Sequence, residues 1–304
     1  AVKGNTCKRA IFLRTFPHGD GGGPTRKVDA GKARASRGPT TCQHAGLIFG
    51  PAVFTRIPTV EMQAAPEGLR LLRDALPPHV SHPRLITGGW QVRAIGRSAA
   101  SRDAVTALGA EPRQADLSDV ATLEAAMIGA DTVFHVAAHF KLWGPLATFR
   151  AMNVEGTRNV VTAAERAGVR RIVYVSAAAV VMGPPMDQHS VTEDAPLHRM
   201  GFAPYAATKA EAEEILRAAN GRRKGLSTVA IRPPFIWGPD MPALDQMAES
   251  VKSGQFMWIA GGGQALSTCH VENLCEALIL AADRGTEGAA YFVSDGADTT
   301  LKAS

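Results

Sequence analysis

After residue 83 the chain alternates short, nearly continuous apolar runs with longer stretches of helical period. The runs at 132–138 (TVFHVAA), 170–176 (RRIVYVS), 227–234 (STVAIRPP) and 289–295 (AAYFVSD) predict strands buried on both faces. The stretches at 146–168, 205–220 and 271–283 predict helices, and Gly221 closes the second of them. Strand–helix alternation on this scale predicts an α/β fold, a doubly wound and mostly parallel sheet with helices on both faces. Ligands of such sheets bind at the carboxyl ends of the strands.

Ahead of this region the pattern fails. Residues 1–45 are rich in Gly, Pro, Ser, Lys and Arg and have no apolar period, which predicts a disordered basic segment. Residues 46–82 form an extension in which PEGLRLLRDALPP predicts a short helix bracketed by prolines. At RLITGGWQVRAIGRS, residues 84–98, the apolar runs 85–87 and 91–95 meet at Gly88 and Gly89. Parallel neighbours need a crossover of about a dozen residues. The expectation is therefore an antiparallel hairpin or one bent strand. The alternative draws a replacement strand and helix from residues 46–82.

The net charge of +5 is unevenly placed: residues 1–80 hold 12 Lys/Arg against 5 Asp/Glu, and the rest hold 21 against 23. The basic excess belongs to the N-terminal segment, where a solvated tail is expected rather than a nucleic-acid site. No run of 18 apolar residues is present, so no membrane span is expected. Cys7, Cys42, Cys269 and Cys275 form no C-x-x-C pair. They read as free thiols of a reducing, cytoplasmic compartment, and no metal site is expected.

The chemistry is carried by Tyr205-Ala-Ala-Thr-Lys209. Four residues apart on a helix is the same face. An ammonium beside a phenol favours the phenolate, so the expectation is a lowered Tyr205 pKa and a tyrosine able to exchange a proton with a substrate oxygen.

In chain order the sequence also carries ADLSD, VFHVAAH, NVEGTRNVV, VYVSAAAVVMGPP, RPPFIWGP and HVENL. With Y-x-x-x-K, this set resembles the extended short-chain dehydrogenase/reductase superfamily, also called the NAD-dependent epimerase/dehydratase family. It is most similar to hydroxysteroid-dehydrogenase and dihydroflavonol-reductase types. The resemblance implies a Rossmann-like NAD(P)-binding domain over 83–234, and a partial substrate lobe interleaved with Rossmann elements over 235–304. It implies Tyr205 as proton donor or acceptor and Lys209 as its partner and a ligand of the nicotinamide ribose. Gly88 and Gly89 would be what remains of the phosphate-binding turn. Asp116 and Leu117 would meet the adenine, Ala137 and Ala138 would allow close approach of the cofactor, and Pro233 and Pro234 would border the nicotinamide. Arg97, at the end of the second strand, suits a 2′-phosphate and tilts the choice between NAD and NADP toward NADP. A homodimer is the expectation by analogy.

Two departures from the family stand out. A hydroxyl is usual five residues before the glycine of VMG, and Ala178 stands there, leaving Ser176 as the candidate substitute. The glycine-rich loop and first helix look excised from LITGGWQV, a first βα unit that is defective. The lost charge-assisted hydrogen bonds would weaken cofactor binding by about three orders of magnitude. The chain stops at SDGADTTLKAS, short of the family's usual C-terminus. Met, Phe and Trp around 139–145, 198–204, 235–244 and 254–263 suit a small hydrophobic substrate. Few cations follow Met241, against a sugar diphosphate. The expected function is hydride transfer between a nicotinamide and a hydrophobic secondary alcohol or ketone, weakened by these departures. The alternative is a non-catalytic or degenerate relative, a nucleotide-sensing or partner-binding protein.

Overall fold

The computed structural model describes the backbone of residues 9–13 and, in full, residues 85–86, 89–141, 144–184, 190–223, 225–239, 249–254, 265–296 and 299–300. The helix expected in PEGLRLLRDALPP, together with Cys7, Cys42 and Gly88, lies outside the described residues.

Strands alternate with helices as the pattern predicts. In chain order they are β1 (Arg9–Leu13), β2 (Gln91–Ile95), α1 (Ala99–Ala107), β3 (Glu111–Arg113), α2 (Val120–Met127) and β4 (Thr132–His135). Next come α3 (Leu146–Phe149), α4 (Gly156–Ala167), β5 (Arg171–Val175), α5 (Pro204–Ala219) and β6 (Ser227–Arg232). The C-terminal part holds β7 (Phe235–Trp237), β8 (Ala265–Leu266), β9 (Thr268–His270), α6 (Val271–Arg284), β10 (Ala290–Phe292) and β11 (Thr299–Thr300). The main sheet has the order β3-β2-β1-β4-β5-β6-β10. All its pairs are parallel. This is the doubly wound Rossmann order.

The largest difference from expectation is the first strand. Arg9–Leu13 lies inside a segment whose composition predicts disorder, yet it is the central strand, paired with β2 on one side and β4 on the other. Its last three residues, Ile11, Phe12 and Leu13, are an apolar run with two strand-favouring members in an otherwise polar stretch. The crossover between β1 and β2 is therefore long, and no hairpin is needed.

The Gly-Gly pair has a different role from the one expected. Leu85 and Ile86 are helical, not extended. The Trp90 amide donates to the Leu85 carbonyl (2.9 Å) and the Gly89 amide to that of Ile86 (3.0 Å). Gly89 has φ +79°. These are the two hydrogen bonds and the left-handed glycine of a Schellman cap. The stretch closes the helix that precedes β2.

Side chains alternate across the sheet with period 2. On β5, Val173 and Val175 enter a core with Trp90, Phe134 and the inner face of α6, whereas Ile172 and Tyr174 enter a second core with α2, α4 and α5. Both faces of β5 are covered, so its central positions are all apolar. α6 is tied to the sheet at its C-terminus, where Arg171 Nη1 donates to the carbonyls of Ala281 (2.9 Å) and Ala282 (3.2 Å). A guanidinium there satisfies terminal carbonyls and complements the helix dipole.

Candidate active site

Parallel strands bring their carboxyl ends to one rim, and most of the expected site residues meet there. Arg97 follows β2, Asp116 and Leu117 follow β3, Ala137 and Ala138 follow β4, Ser176 and Ala178 follow β5, and Pro233 and Pro234 follow β6. Gly89 does not join them. It lies at the amino end of β2, on the opposite rim, so it is corrected from cofactor ligand to helix cap. Since β1 ends at Leu13, the chain that follows the first strand is RTFPHGDGGG, not GGWQV.

Asp116 accepts from the backbone amide (2.9 Å) and hydroxyl (2.7 Å) of Ser118, which hold its carboxyl below the usual value, and Arg97 Nη1 lies 3.5 Å from its other oxygen. Asn159 Nδ2 donates to the Leu117 carbonyl (2.8 Å), fixing the loop after β3. The loop after β4 is fixed by Asn153, a buried side chain that accepts from the His139 amide (2.7 Å) and donates to the His139 carbonyl (3.3 Å) and Thr208 Oγ1 (3.1 Å). Asn153 sits in a π-helical stretch, Arg150–Glu155, between α3 and α4. Such wide turns concentrate at functional sites. The motif NVEGTRNVV pointed to this stretch, but its spacing alone assigns Asn153 no role.

α5 begins with Pro204 at its first turn, where a missing amide costs nothing. It carries Tyr205, half-buried, with the Phe140 ring packed edge-on at 4.9 Å. One turn on, Lys209 is 1% exposed and donates to the Val175 carbonyl (2.6 Å), with its ammonium 4.0 Å from the centre of the Tyr174 ring. Burial pushes the Tyr205 phenol up to about 12 and pulls Lys209 down to about 7. This corrects the expected lowering of the Tyr205 pKa. The two residues share a face, but Lys209 reaches down to the end of β5, and desolvation of the phenol prevails. At neutral pH Tyr205 therefore carries its proton.

Ser176 is corrected as well. It is 2% exposed and donates its hydroxyl to Glu213 Oε2 (2.6 Å), so it is engaged as a clamp between β5 and α5. Glu213, fully buried, also receives Arg232 through Nη2 (2.6 Å) and Nε (3.2 Å to each oxygen). Sequence reasoning missed this pair. The spacing Tyr205, Lys209, Glu213 along one helical stripe was the available signal.

His135, at the end of β4, is fully buried. Thr157 Oγ1 donates to the Asn153 carbonyl (2.6 Å), so His135 Nε2 is the donor in its 2.9 Å contact with that hydroxyl. Among the described residues His135 Nδ1 has no partner. Burial first, then the Lys209 charge, push the imidazole down to about 3. The unfolded chain takes up this proton below pH ~6.5 and the native protein does not, so stability falls as pH drops from there. Urea unfolding at pH 6.5 and 5 should show this group costing about 2 kcal/mol over the interval. His135→Phe should remove that increment; an unchanged pH slope in the variant would refute the assignment.

No helix among the described residues is long and apolar enough to cross a membrane. The chain is 43% identical over 220 residues to a 4-hydroxy-2-methyl-3-oxo-4-farnesyl-3,4-dihydroquinoline-1-oxide ketoreductase of Stigmatella aurantiaca, covering 72% of this chain and 65% of that protein. It is 36% identical to a 3 beta-hydroxysteroid dehydrogenase/Delta 5-->4-isomerase of Mycobacterium tuberculosis, covering 69% of this chain and 60% of that one. The chain thus spans under two-thirds of the length of these relatives. Among solved structures, the Bordetella bronchiseptica enzyme WbmH in complex with NAD+ superposes with TM-score 0.60 at 25% identity over 73% of each chain. Residues 85–300 match the 3-beta hydroxysteroid dehydrogenase/isomerase family. The chain belongs to that family, within the extended short-chain dehydrogenase/reductase superfamily.

Proposed function

We propose that this protein is an NADP(H)-dependent reductase of hydrophobic ketones, with Tyr205 as the proton donor. The observation that carries the reading is a protonated phenol at the strand rim, one helical turn from a fully buried ammonium. The donor set fits a nicotinamide dinucleotide. Lys209 spends one N–H on Val175 and retains donor capacity that suits the hydroxyls of a ribose. Ala137 and Ala138 keep the end of β4 low, and Arg97 stands where a 2′-phosphate is read. When bound, the nicotinamide supplies the hydride. The protein's own part is to hold the phenol toward the substrate oxygen and deliver its proton there.

The apolar substrate class is supported by the relatives, one of which is named for a farnesylated ketone. It is supported too by the aromatics beside the phenol: Phe140 packs on Tyr205 and is 62% exposed, and Phe202, three residues before it, is 70% exposed. Ala178 brings no hydroxyl to share in polarising the carbonyl. We also propose a homodimer through the outer faces of α4 and α5, to be checked by light scattering.

The test is NADPH oxidation with a panel of steroid and prenylated ketones, with a nucleotide-diphosphate sugar as the negative arm. Turnover of the ketones supports the reading; turnover of the sugar alone, or of neither, overturns it. In the same assay Arg97→Asp should raise KM for NADPH by about tenfold or more, the loss of one charge-assisted phosphate contact. KM for NADH should be little changed. An equal effect on both cofactors would remove the NADP assignment.

A further inference from the structure

We propose that Glu213 is the positioning residue of the proton-transfer site, binding the carboxyl ends of β5 and β6 to α5 and holding the Lys209 ammonium in place by its charge. The inference rests on the reading above, in which Lys209 serves Tyr205.

Tyr205, Lys209 and Glu213 lie four apart on α5 and so form one stripe facing the sheet. Two successive turns of that stripe hold two successive residues at the end of β5. Lys209 takes the Val175 carbonyl, and Glu213 takes the Ser176 hydroxyl. Through Arg232, the last residue of β6, Glu213 also holds the strand that leads directly into Pro233 and Pro234. Arg232 is locked in turn by its Nη1 bond to the Glu193 carbonyl (3.0 Å) and by the Phe292 ring. One carboxylate therefore sets the separation of three elements on which the phenol, the ammonium and the cleft wall are mounted.

Its charge has a second effect. Lys209 faces Tyr205 and Glu213 on its own helix, the Tyr174 ring on β5 and His135 on β4. His135 is neutral at physiological pH, since burial holds it near 3. Arg232 on β6 and Arg217 on α5 (Nε 3.8 Å from Oε1) are each paired with the Glu213 carboxylate. Among these neighbours Glu213 is the group that supports the charged form of Lys209, against burial. Without its charge the ammonium loses its proton at lower pH. Activity that needs the ammonium is present below the Lys209 midpoint, near 7, and lost as pH rises through it.

A merely structural ion pair would change stability and leave this titration alone. The test follows the Lys209 side chain by NMR of ¹³C-lysine-labelled full chain, in the wild type and in three variants. Glu213→Gln should lower the midpoint by about one pH unit or more. Glu213→Asp, which keeps the charge, should stay near the wild type. A lone unpaired Arg232 endangers folding, so the double variant Glu213→Gln/Arg232→Gln removes both charges and should still show the lowered midpoint. The high-pH limb of kcat should move with it. A wild-type midpoint in the double variant would overturn the proposal. A displaced midpoint in a protein that reduces no ketone would leave Glu213 as assigned and sink the proposed function instead.

Discussion

Tyr205→Phe should lower kcat for ketone reduction by about 10³-fold and leave stability nearly unchanged. A positioned general acid contributes roughly 10²–10⁴ in rate, and about 10³ corresponds to some 4 kcal/mol of transition-state stabilisation. The middle of that range, rather than its lower end, is expected because Ala178 brings no hydroxyl and Ser176 is engaged with Glu213. The stability prediction comes from the packing. The edge-on contact with Phe140 needs only the ring, which phenylalanine keeps. Cofactor affinity should persist, since Lys209 is held by Val175 and not by the phenol. Single-turnover kinetics with NADPH, beside cofactor titration and thermal melting, separate these effects. A variant within tenfold of the wild type in kcat would remove Tyr205 from the chemistry. The pH dependence offers a second check: with the phenol pushed up to about 12, its ionisation cannot account for a limb near neutrality, which belongs to Lys209.

The regular part of the fold was legible because its strands are buried on both faces. Val173 and Val175 point into one core and Ile172 and Tyr174 into the other, so RIVYV is apolar throughout. Length and flanking helices then decide the reading. The Y-x-x-x-K pair was legible for the simpler reason that helical spacing puts residues four apart on one face. What it could not reveal was desolvation. The direction of the Tyr205 shift depends on packing around the phenol, which comes from residues distant in sequence such as Phe140. Ser176 failed for a related reason: its partner, Glu213, lies on another element, so the bond has no local trace.

The Gly-Gly pair misled by its position. Gly-Gly between apolar runs is a hairpin signal, but a helix ending in a left-handed glycine before a strand writes nearly the same string. Leu85 and Ile86 pack as helical core residues rather than as a strand. Only the missing crossover betrayed the reading. The true first strand was hidden by its surroundings, a short run around Ile11 and Phe12 in a segment whose average composition is polar. Compositional windows dilute so short a run, and its stability comes from two neighbours far along the chain.

Those neighbours make the second large effect predictable. Ile11→Pro should abolish cooperative folding, where a proline in a solvated tail would pass unnoticed. Ile11 is paired with Arg93 on β2 and Val133 on β4, so its amide is committed to the ladder on one side or the other. Proline removes that donor, and in the middle of a sheet it is excluded. The lost ladder hydrogen bond and the distortion of a central strand are set against a total stability of roughly 5–15 kcal/mol. Topology enlarges the damage. Without β1 the sheet falls into β3-β2 on one side and β4-β5-β6-β10 on the other, and the cores on both faces lose their common floor. Trp90 reports the event: it is buried at the foot of β2 and its ring lies 6.2 Å from that of Phe134 on β4, across the position of β1. Urea denaturation followed by tryptophan fluorescence should show no native baseline in the variant. An unchanged midpoint would mean that the sheet closes without Arg9–Leu13, and the centre of the fold would have to be assigned to another segment.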